Sequence, residues 1–262
     1  MVQNRGISLL FTFLGGLVLL FIIAPLASLL VHSSPSEITE TLVDTEVRDS
    51  IALTLWSSIL ATFIFAFFAI PLAYILARNN FKGKKLIQGI IDLPIVIPHS
   101  AAGIALLTVI SKQGFIGKTG GLIGLEFPGH VAGIVLAMAF VSLPFLINAA
   151  RDGFSAVPER LEKAALNLGA SPIKTFFSIS VPLAWRSIVS GLIMMFARGM
   201  SEFGAVIIVA YHPMITPVMI FERFGAYGLK YARPVAIVFI AVCLIFFILL
   251  RYISNSRHND KS

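Results

Sequence analysis

Arg198 and Glu202 stand one helical turn apart in a run that is otherwise apolar, with Ser201 beside Glu202 and Gly199 and Gly204 on either side. A charge at mid-bilayer costs about 2.5–3.5 kcal/mol on insertion scales, so such side chains face protein or water and not lipid. Two roles fit the spacing. An i,i+4 ion pair neutralises itself and locks helices together; alternatively the same face lines a path, and Arg198 offers positive potential to a passing anion. The glycines permit close helix approach in either case. Upstream, Asp92-Leu93-Pro94-Ile95-Val96-Ile97-Pro98-His99-Ser100 places two prolines in a second apolar run. Each removes a backbone donor and frees a carbonyl one turn back, which bends a helix. Freed backbone at membrane depth is tolerated only against protein or a watery cavity. Pro94, Pro98, His99, Arg198, Ser201 and Glu202 are therefore the candidates for a translocation path, although bent helices also occur in ordinary bundles.

A different chemistry, docking, is written into Pro158-Glu159-Arg160-Leu161-Glu162-Lys163-Ala164-Ala165-Leu166-Asn167-Leu168-Gly169-Ala170-Ser171-Pro172, followed by Ile179-Ser180-Val181-Pro182. The stretch reads as helix, break, helix. Pro158 suits the first helical position, and Glu159 and Glu162 sit near the positive end of the helix dipole. Gly169 stops the helix, and Ser171-Pro172 caps and restarts it. Glu162, Ala165 and Gly169 fall on one face, whose small residues would let another protein approach closely. The alternative is an amphipathic surface helix with a glycine stop. A bilayer hairpin needs only a few residues, so a structured polar insert of this size points to a docking site.

Other chemistries are poorly served. Cys243 is the single cysteine, so one chain can build neither a disulfide framework nor a cysteine metal cluster. The five histidines lack ligand spacing, and no Ser-His-Asp order or Gly-x-Ser-x-Gly elbow occurs. Gly117-Lys118-Thr119 ends like a phosphate-binding loop, but the glycine required five positions before Gly117 is Lys112. No cofactor and no metal are expected in this chain. If ATP drives it, a second polypeptide hydrolyses the ATP.

The elements that must position these residues are membrane helices. Hydrophobic residues make up 57% of the 262 and charged residues 13%, far below the roughly 25% charged of a soluble domain. A spanning helix needs about 20 apolar residues, and the apolar runs 7–30, 51–77, 86–110, 129–149, 187–210 and 234–250 predict six of them. No soluble domain of useful size remains, so 1–262 reads as a single all-α membrane domain with a loop over 150–186. The first run exceeds the 7–15 apolar residues of a signal-peptide core and reads as a retained helix.

Orientation follows from Lys and Arg. With both termini in the cytosol, the inner segments hold Arg5, Arg78, Lys82, Lys84, Lys85, Arg151, Arg160, Lys163, Lys174, Arg186, Arg251, Arg257 and Lys261, thirteen in all. The outer segments hold six: Arg48, Lys112, Lys118, Arg223, Lys230 and Arg233. This bias places the Gly169 loop in the cytosol, where ATP is. The net charge of +7 then reflects topology and lipid headgroups rather than nucleic acid, because the basic residues are dispersed without interleaved aromatics.

Ala164-Ala165, Gly169 and Ile179-x-Val181-Pro182 together resemble the Glu-Ala-Ala loop of ABC importer membrane subunits. In that family the loop docks into a cleft of the ATP-hydrolysing subunit. Lys163 stands where the family usually has the Glu, with Glu162 one position earlier, and Val181 replaces a common Leu. On the resemblance, the coupling residues are Glu162, Lys163, Ala164, Ala165, Gly169, Ala170, Ser171, Pro172 and Pro182. Asp92–His99, Ala102-Gly103-Ile104-Ala105-Leu106-Leu107 and Arg198-Gly-Met-Ser-Glu-Phe-Gly204 resemble the molybdate/tungstate branch, with sulfate permeases as close relatives. The resemblance runs from about the second span to Pro234. It implies the ABC importer permease fold, a homodimer of this subunit in the plasma membrane, two cytosolic ATPase subunits and an extracellular binding protein that delivers the oxyanion. It leaves molybdate, tungstate and sulfate unranked. The outer segment Tyr211–Arg233, with Pro213 and Pro217, is a candidate for receiving the binding protein, or simply an interfacial loop.

Two other classes remain as alternatives. An ion-coupled secondary transporter should show repeated broken helices with paired midplane carboxylates, and only Glu202 fits. A membrane-embedded enzyme needs His, Asp or Glu clustered on facing spans, and none is visible in the sequence.

Overall fold

The computed structural model describes residues 5–256, and these form helices and connecting turns without a strand. Arg257 and Lys261, assigned above to the cytosolic tail, lie outside the described residues. In chain order the helices are α1 (Arg5–Val31), α2 (Pro35–Val43), α3 (Thr45–Arg78), α4 (Lys84–Val96), α5 (His99–Ile110), α6 (Phe115–Gly121), α7 (Val131–Ala156), α8 (Glu159–Asn167) and α9 (Pro172–Thr175). A π-helical turn over Phe176–Ser180 leads into α10 (Val181–Met200), then α11 (Gly204–Val209), α12 (Thr216–Tyr227) and α13 (Leu229–Ser256).

Five helical stretches are long and apolar enough to cross a bilayer: Ile7–Val31, Thr45–Arg78, Val131–Ala156, Pro172–Met200 and Leu229–Leu250. The run expected as a single span over 86–110 is instead α4 and α5, bent by 115°. The break falls at Pro98 and not at Pro94, which lies within the last turn of α4. Pro98 cannot donate to the turn before it, and the residue preceding a proline is pushed out of the helical region; Ile97 accordingly sits at φ −72°, ψ 149°. The run expected over 187–210 also differs. Its helix begins upstream of Ile179 and stops at Met200, so Ser201 and Glu202 lie in a break before α11.

The centre of the molecule is α3 and α10 packed on α7. Its contact surfaces are small: Ala61, Ala66, Ala69 and Ala73 of α3, Ala137, Ala139 and Ala150 of α7, and Ala184 of α10 are all buried. Lipid is as apolar as leucine, so helices in a membrane gain little by hiding large side chains from it and gain most from close backbone approach. The large apolar side chains correspondingly point outward, as at Phe63, Phe67 and Phe68. Helix α1 is exposed along its candidate span and touches α13.

Polar contacts staple the bundle where helices begin. Asp44 caps α3 by accepting from the amides of Glu46 and Val47, and Ser34 and Glu37 form a reciprocal cap on α2. The first amide of α12, at Thr216, donates to the Thr54 hydroxyl in α3 at 2.9 Å. The segment Tyr211–Arg233, read from sequence as a possible loop, is mostly helix α12 and the start of α13.

Candidate functional site

Two polar centres organise the molecule, one at the paired helix breaks and one beneath the 158–182 loop.

At the breaks, Glu202 is completely buried and uses both oxygens. Oε1 accepts from the backbone amide of Ala205 at 2.8 Å, satisfying one of the orphan donors at the start of α11. Oε2 accepts from Arg198 Nη2 at 2.8 Å and lies 2.9 Å from Nδ1 of His99. A carboxylate only accepts, so the tautomer with its proton on Nδ1 satisfies that contact. Arg198 Nη2 also lies 2.7 Å from Nδ1 and 3.0 Å from Nε2 of the same imidazole. The three side chains form one cluster, and Ser201 joins it by accepting from Arg198 Nη1 at 3.3 Å.

The geometry explains the breaks. His99 opens α5 immediately after Pro98, and Glu202 lies just ahead of α11, so a single carboxylate ties both interruptions together. The tie requires close approach of the two short helices. A Cβ on Gly204 would stand 2.7 Å from His99 Cβ, and one on Gly103 would stand 2.9 Å from both the Ala205 carbonyl oxygen and Ile208 Cβ. Arg198 and His99 each keep part of their surface open, with side chains 21% and 35% exposed. The cluster therefore presents cationic and imidazole edges above a sequestered counter-charge. Of the remaining path candidates, Pro94 is buried and Pro98 is exposed on the other side of the bend. On the same bent segment, Asp92 accepts from Asn148 of α7 at 2.6 Å, a contact that sequence reasoning missed.

The 158–182 loop shows the expected helix, stop and restart, with Pro158 as the extended cap before α8 and not its first helical residue. Gly169 takes φ +86°. Its amide donates to the Leu166 carbonyl, and the next amide, of Ala170, donates to the Ala165 carbonyl, each at 3.0 Å. This pair of bonds is the Schellman closure that satisfies the last carbonyls of a helix. Ser171 then caps α9 through the amide of Lys174. At the turn Leu168 is 89% exposed and Ile173 is 72% exposed. Lys163 points outward and donates to Glu159 at 2.9 Å, and this hydrogen bond and charge hold the Glu159 carboxyl below its ordinary value.

Glu162 is where the expectation fails. It was assigned to a face that meets another protein, yet it is buried beneath the loop. Arg78, in the last turn of α3, donates to it through Nη2 at 2.7 Å and through Nε at 3.0 and 3.1 Å. Ser180 donates at 2.7 Å and Tyr74 at 3.3 Å. An isolated charge there would be costly to bury, and these donors compensate it. Tyr74, Phe154 and Phe176 pack their rings together below the pair. The outward face of α8 instead carries Lys163, Ala164, Leu166 and Asn167, with Ala165 half-buried. Arg78 appeared in the sequence only as one of several basic residues after the second span; nothing local marks it as the partner of a residue 84 positions away.

Comparison with known proteins gives the family and the fold. The family model described as "binding-protein-dependent transport system inner membrane component" matches residues 69–259. The molybdate/tungstate transport system permease protein of Pyrococcus furiosus is 42% identical over 251 residues, covering 95% of this chain and 96% of that one. The protein of the same description from Methanocaldococcus jannaschii is 41% identical over 241 residues, covering 92% and 94%. A probable sulfate transport system permease protein of Chlorokybus atmophyticus is 35% identical over 207 residues, covering 78% and 72%. Among solved structures, a bacterial ABC transporter involved in the import of alginate superposes with a TM-score of 0.74 at 18% identity, covering 98% of this chain and 97% of the other. At that identity the likeness concerns the fold.

Proposed function

The chain belongs to the family of binding-protein-dependent transport system inner membrane components, and from that premise we propose that it forms the membrane path of an ATP-driven importer for a tetrahedral oxyanion, molybdate or tungstate. It is a multi-pass membrane subunit without an ATPase site of its own; members of this family work with separate ATPase and binding-protein partners. Identity of 42% to a molybdate/tungstate permease over nearly the whole chain is the observation that carries the substrate class.

In the proposed assembly two copies of this chain face each other, since six helices rarely enclose a path for a hydrated dianion. Both termini and the 150–186 loop are cytosolic, within one membrane domain spanning 1–262. The coupling surface is the Gly169 turn with Lys163, Ala164, Ala165, Ala170, Ser171 and Pro172, and its exposed Leu168 and Ile173 enter a cleft of the ATPase. Pro182, at the start of α10, fixes how the loop rejoins its span. Closure of the ATPase dimer displaces the two turns, the spans follow nearly as rigid bodies, and the path opens to one side at a time.

The path is assigned to the cluster at the two helix breaks. Arg198 attracts the dianion, while the His99 ring and the Ser201 hydroxyl give it hydrogen-bonding edges. Glu202, held beneath, keeps the net field weak enough for the ion to leave again, since conduction requires binding that also releases. Pro94 and Pro98 shape the bent α4–α5 segment that brings His99 to the cluster. Selectivity resides chiefly in the binding protein, and the α12 region receives it.

The assignment is tested by reconstituting the chain with its ATPase and binding protein in liposomes and following uptake of molybdate, tungstate and sulfate. ATP-dependent uptake in which molybdate and tungstate compete with each other is expected. Preferential carriage of sulfate would favour the branch represented by the 35%-identical relative. Uptake driven by an ion gradient without ATP would overturn the reading.

A further inference from the structure

We infer that Glu162 is a positioning residue that anchors the 158–182 loop to α3, so that displacement of the turn is transmitted to α3 through the Glu162–Arg78 ion pair; this rests on the coupling role proposed above. The loop needs such an anchor. Helix α8 is only nine residues long and packs chiefly on its own continuation, α9 and the π turn. Its outward residues are exposed, and a Cβ placed on Gly169 would meet no other atom within 4 Å. A short, half-exposed helix of this kind would swing freely if pushed at its tip, and no motion would reach the spans.

The buried carboxylate removes that freedom. The two oxygens of Glu162 accept three contacts from Arg78, one from Tyr74 and one from Ser180. These donors belong to the end of α3 and to the π turn that opens the α10 span. Arg78 also donates from Nη2 to the Val157 carbonyl at the end of α7, at 3.0 Å. Thus α3, the end of α7, α8 and the root of α10 meet at one ion pair. A planar guanidinium gripping a carboxylate through two nitrogens resists rotation as well as separation, which a single hydrogen bond does not. The π turn contributes directly: its wider i→i+5 closure, with the Val181 amide bonded to the Phe176 carbonyl, is accompanied by the Ser180 hydroxyl meeting Glu162. Such turns frequently mark functional positions inside long helices.

The test has two readouts on Glu162→Gln and Arg78→Lys, both chosen to keep side-chain volume. Amide hydrogen exchange on the permease alone in nanodiscs reports the anchor without any partner. Exchange over 158–170 should accelerate in both variants while α7 and α10 stay protected. In the complex with the ATPase, Glu162→Gln should continue to hydrolyse ATP but lose most of its oxyanion uptake per ATP. Arg78→Lys, which keeps one charged contact, should fall between it and the parent. Unchanged exchange over 158–170 would overturn the anchor, and an unchanged ratio of uptake to hydrolysis would overturn its role in transmission. If the parent complex shows no ATP-driven uptake, the proposed function fails, while the exchange experiment still decides whether Glu162 holds the loop.

Discussion

At the scale of single residues, two positions make sharp demands. Gly169 lies at φ +86° with open space around the site where a Cβ would be, so a substitution there is penalised by backbone conformation and not by collision. A left-handed non-glycine residue costs roughly 1–2 kcal/mol, enough to unwind a surface turn without unfolding a membrane bundle. Gly169→Val is therefore expected to insert normally but to lose association with the ATPase, measured by co-purification; normal coupled transport in that variant would sink the assignment of the turn. Arg198 and Glu202 require a more careful exchange. Replacing both by Ala would remove the acceptor of the Ala205 amide as well as the charges, so failure of that variant would say nothing about the path. Arg198→Leu with Glu202→Gln removes both charges and keeps a carbonyl oxygen for the amide. If Arg198 attracts the anion, this double variant assembles with the ATPase yet carries oxyanion poorly, whereas Arg198→Lys retains part of the uptake because charge matters more than fork geometry for a passing ion. Uptake near the parent rate in the double variant would reduce Arg198 to a packing residue.

At the scale of elements, the broken helices depend on close approach and on caps. Gly204→Ala would set a Cβ 2.7 Å from His99 Cβ and 3.3 Å from the neighbouring backbone, so α5 must move away from α11. Overpacking of this sort costs typically about 1–3 kcal/mol, and a lowered melting temperature in detergent is the expected result. A second element-level device sits where α2 meets α3. Burial raises the Asp44 carboxyl, but the hydrogen bond and charge of Arg223 and the amides of Val47 and Glu46 outweigh it and leave the group below its ordinary value. Stability from this group is therefore complete above the ordinary carboxylate range and is lost as pH falls through the lowered value. Asp44→Asn keeps a capping side chain and removes only the charge. The variant should melt slightly lower than the parent at neutral pH, by an amount in keeping with about 0–1 kcal/mol for an ion pair at the surface. That difference should close in acid; a constant difference at all pH values would mean that the charge is irrelevant.

At the scale of the whole molecule, topology is the claim with most riding on it. Thirteen basic residues fall on one side of the proposed topology and six on the other, and by the positive-inside rule the proposal puts the termini in the cytosol. Single cysteines at positions 84, 174, 40 and 118, in a Cys243→Ala background, report sidedness to an impermeant thiol reagent. Positions 84 and 174 should label only from the cytosolic side, and 40 and 118 only from outside. Labelling of position 174 from outside would remove the loop from the compartment that holds ATP and undo the coupling scheme. The same experiment decides whether the α4–α5 pair, bent by 115°, carries the chain across the membrane, because a segment that dips in and returns would place 84 and 118 on the same side.

The helical membrane class was legible in the sequence because it depends on local quantities, whereas the transport family was legible only through the resemblance of its motifs. Apolar run length fixes which segments can lie in lipid, where backbone must be bonded within its own segment. The 158–182 loop was equally legible: proline, glycine and serine act on their own φ and ψ, so helix, left-handed stop and restart could be placed residue by residue. What sequence alone could not supply was which side chains meet across the fold. The spacing of Arg198 and Glu202 offered their pairing as one of two roles, since i,i+4 neighbours share a helix face, but it hid that the helix has ended at Met200 and that Glu202 serves His99 and Ala205 as well. Glu162 looked outward-facing because it shares a helix face with Ala165 and Gly169, the small residues read as a docking surface. Only the packing of α3 and α10 on α7 carries Arg78, Tyr74 and Ser180 to that carboxylate and turns it inward. Tertiary structure decided these contacts because buried charge is stable only where several donors converge, and in this chain those donors come from segments far apart in sequence.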